Sequence, residues 1–137
     1  MNSIETDDIL FQILNGNAEI KQAITGGIYT MGERPDDSQK EDIVVNNLFL
    51  NHTVPQTGTS NVNIHVPDMT VTIGGKQQKK GNRERIRTIT GLVLQALKNA
   101  NVEGLGIRVT NESIIKEPNI FEHYNNIRID WNIHKTN

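Results

Sequence analysis

Apolar and polar residues alternate without a break near the end of the chain, in the stretch IRIDWNIH at positions 127–134. Because successive side chains of a β-strand point to opposite faces of a sheet, this alternation predicts a strand with one buried face. The fold must therefore cover that face, whereas the polar face contacts water or another subunit. The residues expected to point inward are Ile127, Ile129, Trp131 and Ile133.

The segment after Asn82 is predicted to form the covering layer. Its apolar residues recur at intervals of three and four, which predicts an amphipathic helix from Arg83 to about Asn99 with Asn82 as its N-cap. Gly91 lies inside this helix and costs about 1 kcal/mol relative to alanine, so we expect close packing against a neighbour there. The expected buried face is Ile86, Ile89, Val93, Ala96, Leu97 and Ala100.

Shorter patterns predict the remaining elements. A helical segment is expected from Ile4 to Leu14, capped by Asn2 or Ser3, and Asn17 caps a second short turn. The chain is therefore predicted to be one α+β domain over residues 1–137. One mixed, mainly antiparallel sheet packs against the long amphipathic helix and the short N-terminal helical segment. A loop is expected at 51–61, and strands at 28–31, 42–50, 62–66, 69–73, 105–115 and 127–134.

Composition argues against several kinds of chemistry and location. The chain has no cysteine, which excludes disulfides, thiol nucleophiles and cysteine-ligated zinc. Its first residues carry acids where a signal peptide needs basic residues, and no apolar stretch is long enough to span a membrane. We therefore expect a soluble intracellular domain that has no membrane partner. The net charge of −2 provides no global attraction to nucleic acid.

No motif for a known kind of active site is complete. The stretch IGGKQQKKG lacks the spacing and the hydroxyl residue of a phosphate-binding P-loop. Gly104-Leu105-Gly106 is only half of a dinucleotide-binding fingerprint and precedes a strand. Pro35-Asp36 and Pro67-Asp68 are not followed by the acid-x-Lys pattern of metal-dependent nucleases. We therefore predict no catalytic residue, no cofactor and no metal site.

The other ionisable residues are interpreted as surface groups. His65 and His134 lie on the outward faces of predicted strands and could meet across the sheet, but exposed histidines are the commoner case. None of the four histidines has the spacing of a zinc site: His52, His65, His123 and His134. Three glutamates near the last turn are interpreted as solvated rather than as an acid–base pair: Glu112, Glu117 and Glu122.

One stretch, GGKQQKKGNRERIR at 74–87, is strongly basic, with six basic side chains and a single acid, Glu84. Three interpretations remain open for it: a solvated loop before the helix, a protein interface, or a surface that faces DNA. No aromatic residue interleaves the charges, so base stacking is not supported. The candidate residues are Lys76, Lys79, Lys80, Arg83, Arg85 and Arg87.

The order of the elements and several short phrases resemble a known family. A helix leads into AITGGIYTMGERP, NVNIHVPD precedes the helix RERIRTITGLVLQALKNA, and the chain closes with LGIRVTNESIIKEP and FEHYNNIRIDWNIH. From about Ile9 to His134 this pattern resembles the tail-completion and tail-terminator proteins of long-tailed phages, which include head-to-tail joining proteins.

The resemblance implies a structural role without catalysis or cofactor. Such proteins assemble as a ring, typically a hexamer, on the head-proximal end of the tail tube, where they stop its polymerisation. The implied partners are other copies of the chain, the tail-tube protein, the head connector and DNA that passes through the lumen without sequence-specific binding. The implied location is the virion tail, after assembly in the bacterial cytoplasm.

The chain departs from that family between Asp68 and Asn82, where relatives pass quickly from the middle strand into the long helix. The inserted segment is expected to form a β-arm or basic loop at 68–82. Two alternatives to a phage tail protein remain. One is a small nucleic-acid-binding regulator that uses the basic 76–87 segment, and the other is an enzyme whose carboxylates and histidines converge only in space.

Overall fold

The computed structural model describes residues 1–134 and contains one main sheet of five strands, in the order β1-β2-β3-β7-β6. β1 runs parallel to β2, and the other three pairs are antiparallel. This mixed, mainly antiparallel sheet confirms the predicted α+β class. The strands are β1 (Ile28–Thr30), β2 (Asp42–Leu50), β3 (Gln56–Pro67), β6 (Leu105–Lys116) and β7 (Glu122–Ile133); a separate hairpin contains β4 (Met69–Ile73) and β5 (Lys76–Lys80).

Three helices accompany the sheet, and each begins at an asparagine cap. They are α1 (Ser3–Asn15), α2 (Ala18–Ala23) and α3 (Arg83–Asn99). Asn2 forms a capping box with Glu5, whereas Asn17 and Asn82 accept hydrogen bonds from the first turns of α2 and α3. The predicted bounds and cap of α3 are correct. None of the helices in residues 1–134 is long and apolar enough to cross a membrane.

The core lies between one face of the sheet and the helices. The four residues of β7 predicted to point inward, from Ile127 to Ile133, are all buried. Trp131 is the largest of them, and its indole N–H donates a 2.8 Å hydrogen bond to Ser60 Oγ. Helical side chains that complete the core include Leu10, Leu14, Ile20, Ile86, Ile89, Val93 and Leu97.

β3 is longer than predicted because it begins at Gln56, within the segment assigned to a loop. Pro55 and Gly58 indicate a turn when only local signals are considered. In the fold, residues 56–61 pair with β7, from Gln56 opposite Ile133 to Asn61 opposite Arg128. Cross-strand pairing therefore overrides the local turn signals.

Gly91 does not pack closely against a neighbour, so this expectation is wrong. A Cβ built at Gly91 would meet no heavy atom within 4 Å outside the local helix backbone. The position lies instead beside an open groove between α3 and β6, lined by Gly91, Leu94, Thr90 and Ile114 among others. Because Gly91 has no side chain, the groove beside the helix stays open at this position.

Replacing Gly91 with alanine should therefore stabilise the isolated chain by about 0.5–1 kcal/mol, because the helix gains propensity and no clash follows. Urea unfolding followed by circular dichroism would measure this change. Gly58→Ala is the matched control. Its Cβ would lie 2.7 Å from Leu50 Cδ1 and 2.9 Å from the Phe49 carbonyl oxygen, so it should destabilise the fold. Loss of stability in Gly91→Ala would contradict the open groove.

Candidate interaction surface

The segment between β3 and α3 forms a hairpin, the arm (residues 69–80). β4 and β5 pair with each other and with no other strand of the described chain. Gly74 and Gly75 form its turn with positive φ angles of 59° and 77°, as a two-residue hairpin turn requires. Apolar alternation predicted a strand only for 69–73, and the whole segment 68–82 was expected to be a β-arm or a basic loop. The Gly-Gly pair between the two runs was the signal that would have identified β5.

Both ends of the arm lie against one histidine. His123 Nδ1 lies 2.6 Å from Asp68 Oδ1, and the Asp68 carboxylate is almost fully buried. The backbone N–H of Asp68 donates to the Phe121 carbonyl at 2.9 Å. At the other end, a Cβ at Gly81 would lie 3.2 Å from the His123 ring. The base of the arm is therefore fixed against the start of β7.

The two faces of the arm differ. Directly opposed residues share a face, so the pairs Ile73–Lys76 and Met69–Lys80 place an apolar row beside two lysines. Met69 and Ile73 are 43% and 49% exposed, with Val71 between them. A two-stranded hairpin alone is marginally stable in water. An apolar row with this degree of solvent exposure is available for contact with a partner.

The six predicted basic residues divide into two groups. Arg85 is not available to a partner, because its guanidinium donates to both carboxylate oxygens of Glu41 at 2.7 and 2.8 Å and to the Ala23 carbonyl at 2.7 Å. The hydrogen bonds to Glu41 raise the pKa of Arg85. The side chains that remain exposed are Lys76, Lys79, Lys80, Arg83 and Arg87.

The exposed basic residues do not form one flat patch. Lys79 lies on the arm face opposite Lys76 and Lys80, donates to Thr70 Oγ1 at 2.7 Å, and sits 6.0 Å from the centre of the Phe121 ring. On the first turn of α3, Arg87 pairs weakly with the exposed Glu84 at 3.5 Å. Positive charge therefore surrounds the arm on both faces and continues onto the helix.

A charged network joins the β1–β2 loop to the ends of β2 and β7, beside the base of the arm. Arg34 Nε donates to Asp42 Oδ2 at 2.8 Å, and the other end of its guanidinium donates to Glu122. His65 Nδ1 lies 3.0 Å from Glu122 Oε2, and its ring stacks on Tyr124. The Asp42 and Glu122 side chains are only 1% and 3% exposed.

Three interpretations of ionisable residues are therefore wrong. Glu122 is buried in an ion pair, not solvated at a turn. His65 is a partner in that network, not a free surface histidine. His65 and His134 do not meet, because His65 opposes Tyr124 whereas His134 bonds to the Gly104 carbonyl beyond the other end of β7. These contacts join residues far apart in sequence, which local patterns do not reveal.

The network sets the protonation of both acids. Burial alone would raise the pKa of Asp42, but hydrogen bonds from Ser38, Arg34 and the Gly27 backbone outweigh burial and lower it. Burial likewise opposes ionisation of Glu122, yet hydrogen bonds from His65 and Arg34 lower its pKa. Both groups are therefore held as carboxylates in the folded chain.

Within residues 1–134 one group of potential metal ligands converges: His65, Glu117 and Glu122. Arg34 and His65 already engage the Glu122 carboxylate. A cation there would have to displace a guanidinium that neutralises this buried charge. The cluster is accounted for by ion pairing.

Comparison with known proteins identifies a fold but no family. No family model matches the chain, and no curated protein sequence matches it. Among solved structures, the chain is similar to one chain of a structure described as "Virion of native gene transfer agent (GTA) particle", with a TM-score of 0.62. The similarity covers 97% of this chain and 96% of that chain at 8% sequence identity. At this identity the likeness establishes the shared fold alone.

Replacing Arg34 with methionine should destabilise the fold by about 3 kcal/mol at pH 7, because it leaves two buried carboxylates without their cation. The folded pKa values of Asp42 and Glu122 are lowered, so their stabilising effect is complete above their unfolded pKa of about 4 and is lost as pH falls through the folded values. The difference between wild type and variant should therefore shrink below about pH 4.

Denaturant unfolding between pH 3 and pH 8 would measure this difference. The control is Arg108→Met, which removes an exposed pair with Asp130 at 3.9 Å and should cost less than about 1 kcal/mol at any pH. Equal effects of the two variants, or an Arg34→Met effect that does not depend on pH, would contradict the network.

Proposed function

We propose that this protein is a structural virion protein that caps the head-proximal end of a phage or prophage tail tube. The observation that carries the proposal is the likeness, over nearly the whole of both chains, to a chain from a gene transfer agent virion. The resemblance of its element order to tail-completion and tail-terminator proteins supports the finer assignment to the tail end. In this role it stops tube polymerisation and joins the tail to the head connector.

The proposed role is one of assembly rather than catalysis. The buried ionisable residues at the arm end of the sheet neutralise one another, as Arg34 does with Asp42 and Glu122. Self-association, with six copies in a ring as in the family it resembles, needs two different surfaces that fit head to tail. The chain has such surfaces, because the arm lies outside the main sheet and the sheet has a polar face opposite the helices.

In the ring we propose that β5, the strand of the arm that carries its lysines, faces the lumen through which DNA passes. Lys76, Lys79 and Lys80 are exposed on two faces of one projecting hairpin, so they can contact phosphates along a passing duplex without a shaped binding site. Contacts of this type are independent of sequence and weaken steeply with salt. Phosphate contacts of this type let DNA pass through the lumen and do not retain it at one sequence.

The same exposed residues favour a second candidate, a small regulator that binds nucleic acid. This function predicts that the isolated protein binds duplex DNA at physiological salt, with a steep salt dependence that charge reversal removes. The overall charge of −2 and the lack of an aromatic residue between the basic ones argue against it.

Deletion of the gene from a phage or inducible prophage that carries it tests the main proposal. Electron microscopy should then show tails of uncontrolled length and heads without attached tails, and the plasmid-borne gene should restore joined particles. Gold-labelled antibody against the protein should mark the head-proximal tail end of wild-type particles. Joined, infectious particles from the deletion strain, or label at another place, would contradict the proposal.

Changing Lys76, Lys79 and Lys80 together to glutamate should reduce particle infectivity roughly tenfold or more, because the arm would then repel DNA phosphates. The folded chain should keep its stability within about 0.5 kcal/mol, because these side chains lie on the surface. The matched control reverses three exposed lysines on other elements: Lys21, Lys40 and Lys98. Full infectivity of the arm variant, measured by plaque titre, would contradict a DNA-facing arm.

A further inference from the structure

The two edges of the main sheet are unequal. At one edge β1 has only three residues, whereas at the other β6 has twelve. In residues 1–134 no strand pairs with the outer edge of β6, and every residue from Thr110 to Lys116 is exposed. Such an edge presents a row of free N–H and C=O groups, which is a template for another strand. Ile114 and Ile115, 50% and 38% exposed, carry apolar side chains there.

A groove runs beside this open half of β6, on the side of α3. Its lining is mixed: Ile86, Leu94 and Ile114 are apolar, Arg83, Arg87 and Glu112 are charged, and Gly91 leaves its floor without a side chain. Asn125, which is 2% exposed, also lines the groove and donates to Thr90 Oγ1 at 2.9 Å. Its Oδ1 is buried and has no hydrogen-bond partner among the described residues.

The arm has the complementary features. β4 carries the exposed apolar row Met69, Val71 and Ile73 at the spacing of two residues that a strand places on one face. Its outer edge is unpaired, because the hairpin contains only β4 and β5. Five residues of β4 span about 17 Å, which fits within the roughly 23 Å of the exposed half of β6.

We propose that β4 of one copy adds as a strand to the β6 edge of the next copy, with its apolar row over the groove at Gly91. Backbone hydrogen bonds between the two edges would supply affinity, and the apolar row would supply register. The occupant is a second copy because one chain carries both halves of the contact on different surfaces. Within one chain the arm, whose base contacts His123, does not pair with β6.

Such a contact is heterologous, so each copy receives one arm and gives one arm, which closes a ring when the rotation between copies permits. This inference rests on the ring in the proposed function and deepens it by naming the surfaces that meet. It also leaves β5, with Lys76, Lys79 and Lys80, as the outermost strand of the combined sheet and therefore free to face DNA.

Disulfide cross-linking tests the contact, because the chain has no cysteine of its own. Val71→Cys is combined in separate variants with Glu112→Cys or Ile114→Cys, which share the groove face of β6 and sample two registers of the strand addition. Directly opposed residues of paired strands have Cβ atoms close enough for a disulfide after small adjustment. Mild oxidation should give covalent oligomers on non-reducing gels for at least one register. The control, Val71→Cys with Lys98→Cys on the exposed end of α3, should stay monomeric on the gel.

A second variant tests the groove without cysteine chemistry. Gly91→Gln fills the space above α3 but improves helix propensity, so the chain should fold at least as stably as wild type. Its self-association, measured by sedimentation velocity, should weaken roughly tenfold or more. The glutamine side chain would occupy the space into which the apolar row packs. Unchanged association in a stable Gly91→Gln variant would overturn the proposed contact.

The outcomes separate this inference from the ring itself. Oligomers in solution without cross-links in any register would overturn the strand addition and leave the ring standing. Binding of purified tail-tube protein that Gly91→Gln weakens, with no cross-links between copies, would also overturn it and assign the groove to that partner. Monomers at every concentration with no cross-links would contradict both the contact and a self-assembling ring.

Discussion

Burial of one face of the five-stranded sheet beneath the helices is the constraint on which the rest of the molecule depends. Every strand has to present apolar side chains to that layer, and the strict alternation that ends in Ile133 is the strongest example. The other face is consequently polar, with Asn63 and Asn126 bonded across strands at 2.7 Å. A sheet built in this way has one dry face, one polar face and two edges, and only its edges and its polar face remain for partners.

The charged network around Arg34 joins two strands and a loop at the end of the sheet from which the arm projects. Arg34 comes from the β1–β2 loop, Asp42 begins β2 and Glu122 begins β7, so a single guanidinium joins three parts of the chain. Directly beside it, His123 pairs with Asp68 at one end of the arm and packs against Gly81 at the other. A rigid base allows a hairpin with few contacts of its own to project in a defined direction. Charged residues that resemble catalytic candidates are thereby explained as ion-paired structural residues.

Sequence patterns predicted most of the scaffold because these elements are determined locally. The bounds of α3 follow from its apolar period and the Asn82 cap, and the inward face of β7 follows from alternation. Apolar alternation predicted only the first strand of the arm because KQQKK has none, so 68–82 was left as a β-arm or a basic loop, although the Gly-Gly turn indicates a hairpin. The pairing of Arg85 with Glu41 joins positions 44 residues apart, so no local signal separates this structural arginine from the exposed Arg83 and Arg87.

The central claim is that copies of this chain associate head to tail through the arm. Sedimentation velocity of the wild-type protein, beside a variant in which residues 69–80 are removed and Asp68 is joined to Gly81, tests it most directly. The account predicts one closed oligomer near six copies for the wild type and a folded monomer for the shortened chain. An oligomer of unchanged size without the arm, or a wild type that remains monomeric at every concentration, would contradict it.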